Sequence, residues 1–166
     1  DTSAPDGQVY NDMLAHAEIN ALLALKLDQE NRHNAALYTT MEPCPLCMGA
    51  FYMSSVRALH FAARDPYAGS TNLLGTTTYL RRKPIRVVAP LNPALEISLI
   101  AMMVETELTL RGEAVISSRF FDEWRALSFE AVELGIALFR SNELRKRQKN
   151  GLSAEEAINW LTYQVQ

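Results

Sequence analysis

Cysteine is scarce in this chain of 166 residues, and its two cysteines, Cys44 and Cys47, are close neighbours in the sequence. Neither can join a zinc knuckle of four cysteines, and so low a count fits a reducing compartment, so we expect a cytoplasmic location. Long apolar runs are lacking too: no stretch of about 18 apolar residues is present, and the sequence predicts no membrane-spanning helix. The net charge of −3 argues against a surface coated for nucleic acid.

What the sequence does contain is two short motifs made of metal-ligand residue types. The first motif is His16-Ala17-Glu18 and the second is Pro43-Cys44-Pro45-Leu46-Cys47. Together they form the H-x-E and P-C-x-x-C signature that is typical of zinc-dependent nucleobase deaminases. Three protein ligands with an open fourth position describe a catalytic zinc site, whereas four describe a structural one. The motifs therefore predict one catalytic Zn²⁺ per chain, with a third ligand that is not a cysteine.

Local sequence indicates how the two motifs can meet. Residues 15 to about 26 have helical periodicity, which places His16 and Glu18 in a first turn. Cys44 precedes a proline and so marks a second helix start, because proline suits the first helical position. Cys44 and Cys47 then share one face of that turn. We expect both helix N-termini to converge on the metal, where their partial positive charge favours thiolate over thiol.

Each motif also has a simpler interpretation. A single histidine at a helix start is often a cap, and a glutamate in a first turn compensates the helix dipole. A lone Cys-x-x-Cys is also found in thioredoxin-like redox pairs, and a thiol oxidoreductase would form a Cys44–Cys47 disulfide and hold no zinc. The redox alternative makes no use of His16 or Glu18, whereas the zinc hypothesis uses all four residues.

Three longer strings carry a family resemblance: Ala-His-Ala-Glu-Ile-Asn-Ala-Leu at 15–22, Leu-Tyr-Thr-Thr-Met-Glu-Pro-Cys at 37–44 and Ala-Arg-Asp at 63–65. Through them, the segment from 12 to about 74 resembles the cytidine deaminase superfamily, and within it the branch of tRNA adenosine and guanine deaminases. The resemblance implies that His16, Cys44 and Cys47 ligate zinc and that Glu18 moves protons without binding the metal.

The reaction implied by the resemblance is a hydrolytic deamination. Water attacks the amine-bearing ring carbon of a nucleobase, nucleoside or related heterocyclic amine, and ammonia leaves. A tRNA adenosine-to-inosine deaminase is one alternative. A zinc-binding, non-catalytic partner subunit is an alternative of another class, although an intact Glu18 argues against it.

Three further residues are candidate substrate contacts. The backbone N–H of Ala17, at a helix start, can hold a ring carbonyl or nitrogen. Glu42 and Asp65 can contact a base edge, although both are as easily structural. The net charge favours a small heterocyclic substrate over tRNA, even though residues 81–83 and 145–149 are basic clusters. The resembled family also implies a homodimer.

The remaining segments predict an α/β fold. Strands are expected at 35–40, 56–63 and 85–89, and helix-sized intervals between them favour parallel crossovers. An amphipathic helix is expected at 95–111, after the start signal Asn92-Pro93. The resemblance extends this pattern to a three-layer α-β-α sandwich of the cytidine deaminase-like type.

Both ends of the chain depart from the resembled family. Residues 1–11 are loop-like where the family has a helix and two strands, so 1–112 is predicted to be a deaminase domain whose N-terminal strands are missing. Residues 113–166 are predicted to be a helical extension that packs on this domain or on a partner. Within it, 118 to about 149 is expected to be one long helix or two, and a capping box at Ser153 starts a final helix.

Overall fold

The computed structural model describes residues 13–165, without the side chain of Gln29. The loop predicted for residues 1–11, and with it the expected loss of N-terminal strands, lies outside the described residues. The chain divides into two compact units, Asp1–Phe61 with Ala68–Ala89 and Ala62–Tyr67 with Pro90–Gln166. The predicted division after residue 112 stays a prediction.

Three strands of the described residues form one sheet in the order β1-β2-β3, with β1 at Ala36–Met41, β2 at Ala58–Ala63 and β3 at Arg86–Val88. Strands β2 and β3 are parallel, with Ala58 opposite Arg86 and His60 opposite Val88. All three predicted strands are present: β1 is shifted by one residue towards the C-terminus, β2 begins two residues later than predicted, and β3 is one residue shorter at each end. The mixture of helices with a small parallel sheet confirms the α/β class, while the three-layer arrangement stays a prediction.

The first unit contains α1 at Ala17–Ala24, α2 at Gln29–His33 and α3 at Pro45–Met53. Its core is a cluster of apolar side chains from both motif helices, β1, β2 and the turn before β2, namely Leu22, Leu37, Met48, Phe51, Val56, Leu59 and Phe61. Helices α1 and α3 pack on each other. Because each buried side chain of this size contributes about 1.5–3 kcal/mol, the core holds the two motif helices together.

The second unit contains α4 at Pro93–Arg111, α5 at Arg119–Leu127, α6 at Phe129–Ser141, α7 at Glu143–Lys149 and α8 at Ala154–Gln164. The predictions of α4 and of a capping box at Ser153 are confirmed. The expectation of one or two helices over 118–149 is wrong, because three are present. Ser128 begins α6 by accepting a hydrogen bond from the Ala131 amide, and Asn142 ends it with a left-handed φ of 55°. Among the described residues, none of these helices has both the length and the apolarity to cross a membrane.

Helix α4 is the centre of the second unit, where it packs against α6 and α8. The contact with α6 is close at Gly135, because a Cβ there would lie 2.6 Å from the Val104 side chain and 2.7 Å from the Ala101 carbonyl oxygen. Only glycine permits this approach.

Glu96, in the first turn of α4, is a buried carboxylate that binds Arg64, the middle residue of the Ala63-Arg64-Asp65 sequence. It accepts hydrogen bonds from the Arg64 amide at 3.0 Å, from Arg64 Nε at 2.8 Å and from Arg64 Nη2 at 2.9 Å. Burial raises the pKa of Glu96, but the hydrogen bonds and positive charge of Arg64 outweigh it, so the net pKa lies below the ordinary value.

We expect Glu96→Gln to lower the free energy of unfolding by about 2 kcal/mol at pH 7, because the buried charge-assisted bonds are lost. The contribution of Glu96 is complete above the unfolded-state pKa of about 4.3 and disappears as the pH falls through the lower folded-state pKa. Urea unfolding at pH 7 and under acid conditions measures this, and the variant should lose part of the pH dependence. Glu123→Gln, which breaks an exposed pair with Arg119, is the control and should cost less than about 1 kcal/mol. An equal loss of stability in both variants would contradict the stabilising role of the buried Glu96 carboxylate.

Candidate metal centre

His16 stands at the N-terminal boundary of α1. It is the N-cap residue, with extended φ and ψ of −72° and 146°, and its side chain makes no capping hydrogen bond. Helix α1 is shorter than the predicted 15–26, ending before Leu25. Glu18 lies in its first turn, so the two side chains leave the helix at the same end.

Cys44 has the same place in α3 that His16 has in α1. It is the N-cap, with extended φ and ψ of −67° and 172°, and proline follows at the first helical position. This confirms the helix start predicted from the Cys-Pro sequence. Cys47 lies within the first turn and is fully buried. A helix start again points two motif side chains in one direction.

The two helix starts bring the predicted ligands together. His16 Nδ1 lies 3.5 Å from Cys44 Sγ and 3.3 Å from Cys47 Sγ, and the three ligand atoms all lie within 4.8 Å of one another. Tetrahedral zinc with ordinary Zn–S and Zn–N bonds places nitrogen and sulfur ligands about 3.6 Å apart. Both cysteines are free thiols. The donor set and its spacing therefore fit zinc, and the disulfide that the redox alternative needs is not formed.

Glu18 lies beside the three ligand atoms. Its Oε2 accepts a hydrogen bond from Cys47 Sγ at 3.4 Å, and its Oε1 accepts one from the Thr39 hydroxyl at 3.1 Å. One carboxylate oxygen thus faces the sulfur cluster and the other faces β1. This is the place that a proton carrier next to a metal needs.

The pKa of the Cys47 thiol depends on the groups that surround it. Burial, followed by the negative charge of Glu18 and by Cys44, raises the pKa of the Cys47 thiol well above its ordinary value. A bound divalent cation reverses this balance, because a coordinating thiol is deprotonated. A pair of thiols, of which Cys47 is buried, beside a carboxylate is therefore suited to a cation, whose binding releases protons.

Glu42 connects the second motif to the segment 70–71. The Thr71 amide donates to Glu42 Oε1 at 3.1 Å, and the Thr71 hydroxyl donates to the same oxygen. The Ser70 amide donates to the Pro43 carbonyl at 3.0 Å. These bonds hold the backbone just before α3, and the role of Glu42 as a substrate contact stays a prediction.

Asp65 and Ala17 are the other candidate substrate contacts. Asp65 Oδ1 accepts a hydrogen bond from the Tyr67 amide at 2.9 Å, which makes a tight turn after β2. Ala17 is the first residue of α1 and is exposed, so its amide is one of the helix-start donors that lack an intrahelical partner. Both assignments stay predictions.

Thr39 is the site residue that sequence reasoning missed. Strand alternation places it on the same face of β1 as the buried Leu37, so the alternation alone was a signal that its hydroxyl points inward. Its contact with Glu18 joins residues that are 21 positions apart, and no local pattern predicts such a pair.

Comparison with known proteins finds a family model that matches the first part of the chain. Residues 4–63 match the model of the cytidine and deoxycytidylate deaminase zinc-binding region. A tRNA-specific adenosine deaminase of Agrobacterium fabrum is 42% identical over 62 residues, which cover 36% of this chain and 41% of that protein.

Two further relatives have other substrates in their names. The guanine deaminase of Bacillus subtilis is 44% identical over 55 residues, which cover 32% of this chain and 35% of that protein. A probable cytosine deaminase of Schizosaccharomyces pombe is 29% identical over 101 residues, covering 52% of this chain and 57% of that protein. The chain thus spans between 35% and 57% of the length of these three relatives. No solved structure matches it significantly.

The matched segment includes both motifs and all three clustered ligand atoms, and the description of that family region names zinc. Zn²⁺ is therefore the cofactor that the cluster and the family region support together. Residues 4–63 of this chain are thus similar to the zinc-binding region of the cytidine and deoxycytidylate deaminases.

Proposed function

We propose that this chain is a zinc-dependent hydrolytic deaminase of a nucleobase, a nucleoside or a related heterocyclic amine. The observation that carries the proposal is the position of Glu18 Oε2, 3.4 Å from Cys47 Sγ and next to three clustered ligand atoms. A structural zinc site has no use for an acid–base group at this place, whereas hydrolysis at a ring carbon needs one.

His16, Cys44 and Cys47 would hold the metal, and three protein ligands are the number that catalytic zinc sites have. When bound, zinc supplies Lewis-acid activation of water near neutral pH. Glu18 accepts the proton of the attacking water and delivers it to a ring nitrogen. The same carboxylate then takes the proton of the hydroxyl that was added to the ring carbon and passes it to the exocyclic amine. The C–O bond becomes a carbonyl as the C–N bond breaks, and ammonia leaves. Ala17, Glu42 and Asp65 stay the proposed substrate contacts.

A small heterocyclic substrate is proposed before tRNA because the basic clusters are engaged within the chain. Arg145 Nε lies 2.7 Å from the buried Glu105, and Arg147 Nε lies 2.8 Å from Glu143. The other cluster behaves similarly: Arg81 donates to the Gly75 carbonyl, and Lys83 donates to the Tyr52 carbonyl. The two ion pairs offset positive charge, and the two carbonyl contacts occupy hydrogen-bond donors, that phosphate binding would need.

A tRNA adenosine-to-inosine deaminase is the second candidate, because several relatives are named tRNA-specific adenosine deaminases. A non-catalytic zinc-binding partner is the third, and it would bind zinc but release no ammonia. A homodimer in the cytoplasm completes the proposal. The exposed Leu46 and Met53 of α3 supply apolar surface for such a contact, which sedimentation analysis tests.

The test of the function combines metal analysis with a screen for ammonia release. The panel contains guanine, adenosine, cytosine, related heterocycles and tRNA, and the zinc-loaded protein is compared with chelator-treated protein. We expect about one zinc per chain and chelator-sensitive ammonia release from one member of the panel. Release from tRNA alone would favour the second candidate. Zinc without release from any member would favour the non-catalytic partner.

A further inference from the structure

The hydroxyl of Thr39 on β1 makes a contact that the proposed function does not yet use. Its Oγ1 lies 3.1 Å from Glu18 Oε1 and also 3.1 Å from the Met41 carbonyl oxygen. We infer that Thr39 is a positioning residue, which holds one oxygen of the Glu18 carboxylate so that the other faces the metal centre. The inference rests on the proposed function, because it assigns a task to Thr39 in the same reaction.

The two oxygens of the Glu18 carboxylate have different partners. Oε1 is held by Thr39, and Oε2 points to Cys47 Sγ at 3.4 Å. A glutamate side chain has several rotatable bonds. Without an anchor, its carboxylate would have to lose this conformational freedom during the reaction itself. A hydrogen bond from a β-strand supplies that order in advance, and a displacement of about 1 Å can cost about 10²-fold in rate.

The position of Thr39 in the strand makes it a suitable anchor. Leu37, two residues earlier on the same face of β1, is buried in the core of the first unit, so the strand around Thr39 has little freedom. Thr39 itself is half-buried, which weakens competition by water for its hydroxyl. The contact with the Met41 carbonyl, two residues along the same strand, further limits the movement of the hydroxyl.

A purely structural role is the competing explanation. In that case the hydroxyl only satisfies the Met41 carbonyl, and its loss would affect stability but not turnover. Valine removes the hydroxyl while keeping shape and strand propensity, and serine keeps the hydroxyl. Thr40, the next residue, is exposed and provides a matched control for a threonine-to-valine change in the same strand.

With the substrate identified by the ammonia screen, we expect Thr39→Val to lower kcat by about 10–100-fold while KM stays within about twofold. Thr39→Ser should recover most of the lost kcat, and Thr40→Val should match the wild type. Zinc content should be the same in all of these variants.

A second readout does not depend on activity. In the metal-free protein, the shifts in melting temperature caused by Thr39→Val and by Glu18→Ala should fail to add in the double variant, because both remove the same hydrogen bond. Thr40→Val and Glu18→Ala should add.

These measurements distinguish a failure of the positioning role from a failure of the proposed function. If the wild type releases ammonia but Thr39→Val retains its kcat, or if the Thr39 and Glu18 shifts add, the positioning role is wrong and the proposed function stands. If the wild type releases no ammonia from any substrate, the proposed function is wrong and the positioning role fails with it.

Discussion

Glu18→Ala is expected to abolish measurable turnover while the protein keeps its zinc. General acid–base catalysis by a positioned side chain contributes about 10²–10⁴-fold, and the proposed mechanism assigns every proton transfer to this one carboxylate. The alanine variant removes this group but none of the three clustered ligand atoms. Ammonia release and zinc content, measured on the same preparation, check the prediction.

The control for Glu18→Ala is Glu30→Ala. Glu30 is an exposed glutamate in the first turn of α2, a position similar to that of Glu18 in α1. Removing Glu30 changes the net charge and the compensation of the helix dipole by the same amount. The comparison therefore isolates the effect of losing a carboxylate beside the metal centre. Normal turnover in Glu18→Ala would remove the proposed mechanism, and loss of zinc in that variant would mean that Glu18 supports the metal directly.

Cys44→Ser is expected to lose both zinc and activity. A hydroxyl is a far poorer zinc ligand than a thiolate, and only two clustered ligand atoms would remain. Because the chain has only two cysteines, thiol titration gives a clear readout. In the wild type two thiols should become reactive on chelation, whereas in the variant one should react without chelator.

Histidine offers a second test of the same centre. His16→Ala should also lose zinc, while His33→Ala should keep it, because His33 is exposed on α2 and its Nε2 lies 3.1 Å from Arg57 Nη2. Loss of zinc in both variants would point to general damage rather than to ligand removal. Zinc retained by Cys44→Ser and His16→Ala alike would show that the metal binds elsewhere.

The starts of the motif helices were predictable because their signals are local. The proline directly after Cys44 indicated the start of α3, which agrees with the structure, whereas α1 begins at Ala17, two residues later than predicted, with His16 as its N-cap. The breaks within 118–149 were harder to predict, since Ser128 and Asn142 interrupt a segment that otherwise has good helix formers. A serine or asparagine is tolerated inside a helix, and only the surrounding packing decides whether it caps one instead.

Two long-range side-chain pairs, one at the candidate site and one in the second unit, could not be predicted from the sequence. Thr39 with Glu18 and Arg64 with Glu96 join positions that are 21 and 32 residues apart. Nothing within either local segment marks the partner, because an inward hydroxyl pairs with whichever acceptor, and a buried carboxylate with whichever donor, the fold brings near.

The amino-acid sequence alone determined which ligand types are available, since an imidazole, two thiols and a carboxylate limit the metal that can bind and the proton carrier that can be proposed. Tertiary structure alone decided the distances, by packing α1 on α3 so that His16 Nδ1 lies within 3.5 Å of both sulfurs. The physical reason is that ligand type is a property of single residues, whereas separation across 31 positions depends on the burial of a shared core.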